Sequence, residues 1–600
     1  MRWIRFPWVW RVRLANRLLL TARKWHLLVP IVPVLKNYTR DDLSRDAIAG
    51  LVVGMVTVPQ AVAYAYLAGL PPQAGLYACL LPMLIYAVMG SSKHLVVGPV
   101  AVAALLVAAA IAEHAPNYGD AHLLISSVLC LQVGLILFGL RAFRMGGLVN
   151  LLSHPVITGF VNAAALLIII SQLPAILGVH IDQSGSPLLQ LSGLLDQVEH
   201  VHSTTLILGI CTLVFLLFSR SIIGALLSAF GRGDSGHPLA KTGPLWAALA
   251  GVVAVWGLNL GDQLDTVGLV PNGLPSLGWP LTDVTLWLDL LPSASVIAVI
   301  TYIESYSIGA TLAAKERYQI RPNQELIALG AANIGAGMTG AYPVAGSFSR
   351  SGVNYAAGAS TPISSVVCAL IIIATLLFFT DAFVNLPNAA LAAIVMVSVL
   401  NLVDLQSWRR NWAVYRQDCW TEWGTALGVL ALGVEVGLLF GVVLSIAFFL
   451  RSSSQPVITQ IGRLGDSQQF RSAKRYSVTL HAHVLALRVD ENMFFANASQ
   501  IEDRVVGRAL RRRGTTHVLL ACGSVNLIDS TGLAMLQRMS QTLADAGITL
   551  SLSELKGPVA QQLSPVDLES TISGGIYFSN DEAMQALAES DASKPGEDQS

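Results

Sequence analysis

HLVVGPVAV (residues 94–102) and AYPVAGSFSRSGVN (residues 341–354) share one plan: an apolar run, a turn at Gly98 or Gly346, then an apolar segment that looks too short for an ordinary membrane span. The turns stand 346 − 98 = 248 residues apart. They lie in a chain of 600 residues that is 54% hydrophobic and only 12% charged, with a mean hydropathy of +0.60. A soluble domain carries about 25% charged residues, so the two turns belong to a polytopic α-helical membrane protein.

Working outward, apolar segments near spanning length follow one another over residues 47–455. Their predicted starts are near 47, 75, 98, 124, 149, 204, 243, 290, 324, 347, 361, 384, 421 and 437, fourteen in all. Residues 1–46 precede them. The opening of this segment mixes Trp3, Trp8 and Trp10 with seven basic residues between Arg2 and Lys24. That mixture lacks the unbroken apolar core of a signal peptide and predicts an amphipathic segment on a cytoplasmic membrane face.

Charge placement tests the count. With that segment in the cytoplasm, the cytoplasmic connections hold Lys93; Arg141 and Arg144; Arg220, Arg232 and Lys241; Lys315, Arg317 and Arg321; and Arg409, Arg410 and Arg416. The opposite connections (114–123, 179–203, 259–289 and 381–386) contain no Lys or Arg. This is the positive-inside pattern, and one missed span would scramble it. Both termini are therefore expected in the cytoplasm.

Shifting Gln60 of the first span by 304 − 60 = 244 residues lands on Glu304 of the eighth, close to the offset of the turns. Seven is an odd number of crossings, so the second half runs inverted. Inverted halves with short, interrupted helices at matching positions mark a transport site near the midplane. The third and tenth spans would direct their amino ends at each other, each presenting unpaired N–H groups and roughly half a positive charge. Pro99, Val100 and Ala101 open the third; Ser347, Phe348, Ser349 and Arg350 open the tenth. Pro99 suits a first helical turn, the serines add hydroxyl donors, and Arg350 adds a charge that it cannot shed.

A small, multiply charged oxyanion fits these donors. The structural alternatives for Arg350 are a fixed ion pair with Glu304 and a side chain that snorkels to the cytoplasmic surface. Glu304 carries the one charge of ASVIAVITYIESYSIGATLAA (294–314). An ionised Glu304 repels an anion and a protonated one does not, so proton uptake there is expected to accompany binding. Gln60 and Tyr64 follow Pro59, which is expected to break the helix, are spaced i, i+4 and share a face; they offer uncharged donors, although helix glue is an equal reading of both. Glu435 has no counterpart in the first half and reads as structural.

These same stretches, with VPQAVAYAYLAGLPPQAGLYA, LLSHPVITGF, QELIALGAANI and LPNAALAAIVM, resemble sulfate permeases of the SulP group over nearly the whole chain. The resemblance implies a seven-plus-seven inverted repeat split into a core (spans one to four and eight to eleven) and a gate (the rest), elevator-like motion of one against the other, and a homodimer. Gln60, Tyr64, Ser349 and Arg350 match family positions that line the anion site. Glu304 matches the carboxylate assigned to proton coupling in plant-type sulfate–proton symporters. Members that carry bicarbonate with sodium generally lack the arginine, which this chain has.

From residue 456 the composition becomes that of a soluble domain. RYSVTLHAHVLALRVD alternates in polarity, ENMFFANASQIEDRVVGRALRRR reads as a helix, and HVLLAC and ITLSLSEL read as strands around a helix that starts at DSTGLAML. Residues 456–589 thus predict a cytoplasmic α/β domain, similar to the STAS domain that ends these transporters, with VNLIDSTG as its signature. In related antagonists of anti-sigma factors a serine of that loop is phosphorylated, so Ser530 is a candidate regulatory position and a regulatory protein a candidate partner. Asp529, Ser530 and Thr531 also suit an ordinary helix cap. Residues 590–600 are polar and acidic, and a disordered tail is expected.

The chain offers no nucleophile–base set, phosphate-binding glycine loop or metal cluster, and its six cysteines show no metal spacing. It is not expected to be an enzyme or to hold a cofactor or metal, and a formal net charge of zero does not point to nucleic acid. The leading expectation is secondary active transport of sulfate or a similar inorganic oxyanion across the cell membrane, with H+ as the coupling ion. A sodium–bicarbonate symporter and a membrane-anchored regulatory module are the alternatives.

Overall fold

The computed structural model describes residues 29–114, 120–150, 153–179, 193–194, 196–229, 237–280, 284–565 and 571–592. The Trp- and Arg-rich opening and residues 593–600 lie outside the described residues. The chain divides into two compact units, Met1–Val443 and Leu444–Ser600.

In the first unit a helix stands at each place where the sequence predicts a span. The first half contributes α1 (Arg40–Leu67), the broken pair α2 (Pro72–Tyr77) and α3 (Leu81–Met89), α4 (Ala101–His114), α5 (Asp120–Ala142), α6 (His154–Leu177), α7 (Ser203–Ala229) and α8 (Gly243–Gly257). The second contributes α9 (Leu291–Lys315), α10 (Pro322–Met338), α11 (Phe348–Ala356), α12 (Ile363–Phe378), α13 (Asn388–Leu400), the short connecting α14 (Gln406–Val414), α15 (Arg416–Leu432) and α16 (Val434–Ser453), whose last turns fall in the second unit. Among the described residues, seven helical segments are long and apolar enough to cross a membrane, and four shorter apolar helices accompany them.

The packing carries the internal repeat. α1 packs on α12 as α9 packs on α5; α3 packs on α12 as α10 packs on α5; α1 packs on α11 as α9 packs on α4. α6 and α13 meet directly, and α15 packs on α6 as α7 packs on α13. Each of these contacts therefore has a partner generated by exchanging the halves. Two-residue strands β1 (Val97–Gly98) and β2 (Ala345–Gly346) pair antiparallel, with Val97 opposite Gly346 and Gly98 opposite Ala345, and join the halves at their matching turns.

Three local expectations are corrected. α1 begins at Arg40 rather than near 47, because Thr39 and Asp42 form a capping box. It also runs unbroken through Pro59: a proline costs an interior helix one hydrogen bond, but α1 is buried along most of its length between its neighbours, and packing keeps it continuous through the defect. Pro99 lies before the first residue of α4 and is not part of its first turn.

In the second unit α16 leads into β3 (Ile458–Arg463), β4 (Phe470–Ser472), β5 (Val484–Val489), α17 (Ala498–Arg511), β6 (His517–Ala521), α18 (Ser530–Asp545), β7 (Thr549–Ser553), α19 (Gly557–Leu563), β8 (Ile576–Tyr577) and α20 (Asn580–Ala592). The sheet order is β4-β3-β5-β6-β7-β8, parallel from β5 to β8. α17 and α18 cover one face and α20 the other, so β6 is buried at every position, as expected of a parallel strand covered on both sides. Only the second half of the alternating run at 475–490 becomes strand; its first half touches the sheet through a single bridge, Thr479 to Arg463. α20 extends to Ala592, so residues 590–592 are helical rather than part of a tail.

One buried carboxylate fixes the exit of α11. Asp46, on α1, accepts hydrogen bonds from the Ser360 and Thr361 backbone N–H groups (2.8 and 3.0 Å), from the Thr361 hydroxyl (2.5 Å) and from the Tyr38 hydroxyl (3.1 Å). Asp46→Ala leaves these donors without their acceptor and is expected to cost about 2 kcal/mol or more. Asp46→Asn, which keeps one acceptor oxygen, should cost less. Thermal denaturation of the detergent-purified variants measures the order.

Candidate functional site

α4 has 14 residues and α11 has 9. At 1.5 Å per residue they reach about 21 Å and about 14 Å, against a hydrocarbon core of about 30 Å. Neither can cross alone, so their amino ends stop inside the protein. The β1–β2 pair brings those ends together, and side chains from three other segments secure it. Ser347 N–H donates to the Val96 carbonyl (3.0 Å) and Val96 N–H donates to Ser351 Oγ (2.9 Å). Gly346 N–H donates to Ser305 Oγ on α9 (2.7 Å), and Asn333 on α10 pairs with both the N–H and the carbonyl of Val344 (2.9 and 3.1 Å). Asn354 Nδ2 donates to the His94 carbonyl (3.1 Å).

Arg350 lies in the middle of this frame with 0% of its surface exposed. Its Nη2 donates to the carbonyl of Pro99, on the opposite turn, at 2.5 Å. Its Nε and Nη1 are buried and have no hydrogen-bond partner among the described residues. Complete burial excludes the snorkelling alternative, and no ion pair joins Arg350 to Glu304 among the described residues. The guanidinium thus keeps a full charge and two free donors beside two half-helix amino ends. One hydrogen bond to a neutral carbonyl, worth roughly 1.5–3 kcal/mol, does not offset the several kcal/mol that a buried charge costs. The arrangement calls for a negative partner with several acceptor oxygens.

Pro99 supplies the carbonyl; Val100 and Ala101 are buried at the start of α4. Ser347 caps α11, its Oγ accepting from Arg350 N–H (3.4 Å), while Phe348 and Ser349 are exposed. Gln60 and Tyr64 are buried on α1; Gln60 Nε2 reaches Ser398 Oγ on α13 at 3.4 Å and its Oε1 is unpaired. Glu304 is half-buried and lines a cavity of about 170 Å³ whose walls include Val102, Ile303, Phe348 and Leu438, with its Oε2 unpaired. Glu435 stays outside the site.

Sequence reasoning passed over the residues that hold the frame: Ser305, Asn333, Ser351 and Asn354. Two of them, Ser351 and Asn354, lie within the quoted stretch, and Ser305 adjoins Glu304, so proximity to the flagged positions was the available signal. Tyr342 was also missed; it is wholly buried with an unpaired hydroxyl. In the second unit Asp529 caps α18 by accepting from Gly532 N–H (2.7 Å), and Ser530 is exposed at the first helical residue.

Comparison with known proteins shows which family the chain resembles. The profile of the Sulfate permease family matches residues 43–425, and that of the STAS domain matches residues 475–583. The chloroplastic Sulfate transporter 4.1 of Arabidopsis thaliana is 34% identical over 545 residues, covering 88% of this chain and 77% of that protein. A probable sulfate transporter of Mycobacterium tuberculosis is 31% identical over 577 residues, covering 95% and 99%. The structure of the murine Solute Carrier 26 family member A9 anion transporter in the inward-facing state superposes with a TM-score of 0.86, at 23% identity and with 94% of each chain covered.

A Cβ on Gly98 would stand 3.2 Å from Arg350 Nη2. Alanine asks the guanidinium for a few tenths of an ångström; valine forces it off the Pro99 carbonyl. Oxyanion affinity, measured by calorimetry, is expected to fall about tenfold or more in Gly98→Val and less in Gly98→Ala.

Proposed function

The chain belongs to the sulfate permease family, and from that premise and the half-paired Arg350 guanidinium we propose that it carries sulfate, or a similar tetrahedral oxyanion, across the membrane by secondary active transport. It is a multi-pass integral membrane protein. The observation that carries the reading is the buried cation with Nε and Nη1 free where α4 and α11 begin. Two helix ends at roughly half a charge each plus one guanidinium amount to about two positive charges, which balance a dianion. A monoanion would leave this buried charge half met. Tyr342, Ser349 and the amide of Gln60 are the uncharged groups within the same region that can complete its hydrogen bonds.

Transport needs the site to reach both sides of the membrane. In the fourteen-span reading, spans one to four and eight to eleven move as a core past the remaining spans. Support comes from the cavity at Glu304, where α4, α9 and α11 of the core face α6 and α16 of the gate across an almost wholly apolar wall. An apolar boundary has few hydrogen bonds to break as one side slides along the other. An ionised carboxylate facing that wall resists the slide, because it would be desolvated without a partner. A protonated Glu304 does not. A proton on Glu304 therefore both lowers repulsion of the incoming anion and releases the moving core, which is the coupling we assign to this residue.

Reconstituted proteoliposomes test the proposal. Radiolabelled sulfate uptake should be driven by an inward proton gradient rather than by sodium. Arg350→Lys, which loses the planar fork and the Pro99 contact, is expected to reduce uptake at least tenfold. Glu304→Gln should retain sulfate exchange between the two sides while losing accumulation driven by the proton gradient. Sodium-driven bicarbonate uptake in the unmodified protein, or full proton-driven accumulation by Glu304→Gln, would overturn this assignment.

A further inference from the structure

The second unit contains a concavity of about 890 Å³ that the transport reading does not use. It is bounded by the start of β3, the segment from Arg471 to Tyr476, the end of β5 and one side of α17. Five cations line it (Arg471, Lys474, Arg475, Arg488 and Arg508) against one carboxylate, Asp490, for a net 5 − 1 = +4. Asp490 is committed to Arg488, which grips it with Nε (2.5 Å) and Nη2 (3.1 Å). Arg508 Nη1 donates to the Ile458 carbonyl (2.9 Å), which holds its guanidinium at the wall. Arg471 reaches only the neutral Gln469 Oε1 (3.2 Å). Lys474 and Arg475 have no carboxylate partner among the described residues.

Like charges spread over a convex surface are solvated separately. Converging on one concave volume, they focus a positive potential that favours a counter-anion. The volume is that of a small-molecule site, and several guanidinium forks favour a ligand with clustered phosphate oxygens over a single carboxylate. Place in the chain adds a second indication. Only Ser454, Gln455 and Pro456 separate the end of α16 from Val457 on the cavity wall, a reach of roughly 14 Å at most. The last turns of that membrane-spanning helix and the cavity belong to the same compact unit. The wall of the cavity therefore begins within a few residues of the end of the last apolar helix.

We propose that this cavity is a binding site for a phosphate-bearing anion. The shared chemistry is a phosphate group, which either a soluble polyphosphate or the headgroup of an anionic lipid can supply. Tyr476, exposed at the rim, offers a ring and a hydroxyl to whatever is attached to that phosphate.

The test uses the full-length protein purified in detergent. Binding of inorganic pyrophosphate and of dioctanoyl phosphatidylglycerol is measured by microscale thermophoresis, with dioctanoyl phosphatidylcholine as the zwitterionic control. At least one anionic probe is expected to bind. The double variant Lys474→Glu/Arg475→Glu should weaken it about thirtyfold, from roughly a tenfold or smaller effect per charge near a surface. Lys474→Arg/Arg475→Lys should bind as the unmodified protein does. Lys474→Gln/Arg475→Gln, a milder change on the same exposed segment, gives the answer if charge reversal lowers the unfolding temperature. Binding of pyrophosphate assigns a soluble ligand, and binding of phosphatidylglycerol alone assigns a lipid. The proposal is overturned if neither probe binds, if the control lipid binds equally well, or if neither charge-removing variant weakens binding.

Discussion

The hydrogen bond from Arg350 to the Pro99 carbonyl spans the join between the two halves of the membrane unit, and the geometry of the site depends on it. Each half brings a turn and a short helix that cannot cross the bilayer alone. β1 and β2 pair those turns, and Arg350 then ties the second half-helix to the carbonyl that precedes the first. Holding a cation with a neutral carbonyl has a consequence: the guanidinium is oriented but its charge is not cancelled. A carboxylate in the same position would have produced a stable ion pair and no affinity for a mobile anion.

Around this point the buried polar groups fall into two sets. Ser305, Ser351, Asn333 and Asn354 direct their polar atoms to the backbone of the turns, satisfying groups that would otherwise be buried without partners. Arg350 Nε and Nη1 and the Tyr342 hydroxyl keep unpaired donors. Glu304 differs from all of them, since its neighbours are apolar side chains on both sides of a helix boundary. In the proposed transport cycle a titratable group there acts on motion as well as on charge. The basic cavity of the second unit is separate from this machinery and rests on different residues.

Much of the architecture was legible in the chain. Apolar segment lengths and the placement of Lys and Arg counted the helices, because insertion into a membrane is governed by local transfer energies that a sequence window records. The matching turns revealed the repeat, and Arg350 announced itself because a charge in an apolar segment is costly. Pro59 misled for a complementary reason: proline's local penalty is visible in sequence, whereas the packing that keeps α1 continuous is not. The partner of Arg350 was equally out of reach, since a backbone carbonyl 251 residues away leaves no mark in residue identity. The cavity beside β3 likewise gathers cations from three separate segments, and only the folded sheet brings them to one volume.

Sequence alone determined that this is a membrane protein of repeated, oppositely oriented halves with a soluble α/β domain after it, because hydropathy, charge asymmetry and strand–helix alternation are sums over neighbouring residues. Tertiary structure decided which atoms face one another: that Arg350 is held by a carbonyl and not by Glu304, and that Glu304 looks onto an apolar boundary. Those facts depend on distances between segments hundreds of residues apart, and such distances are set by packing rather than by local composition.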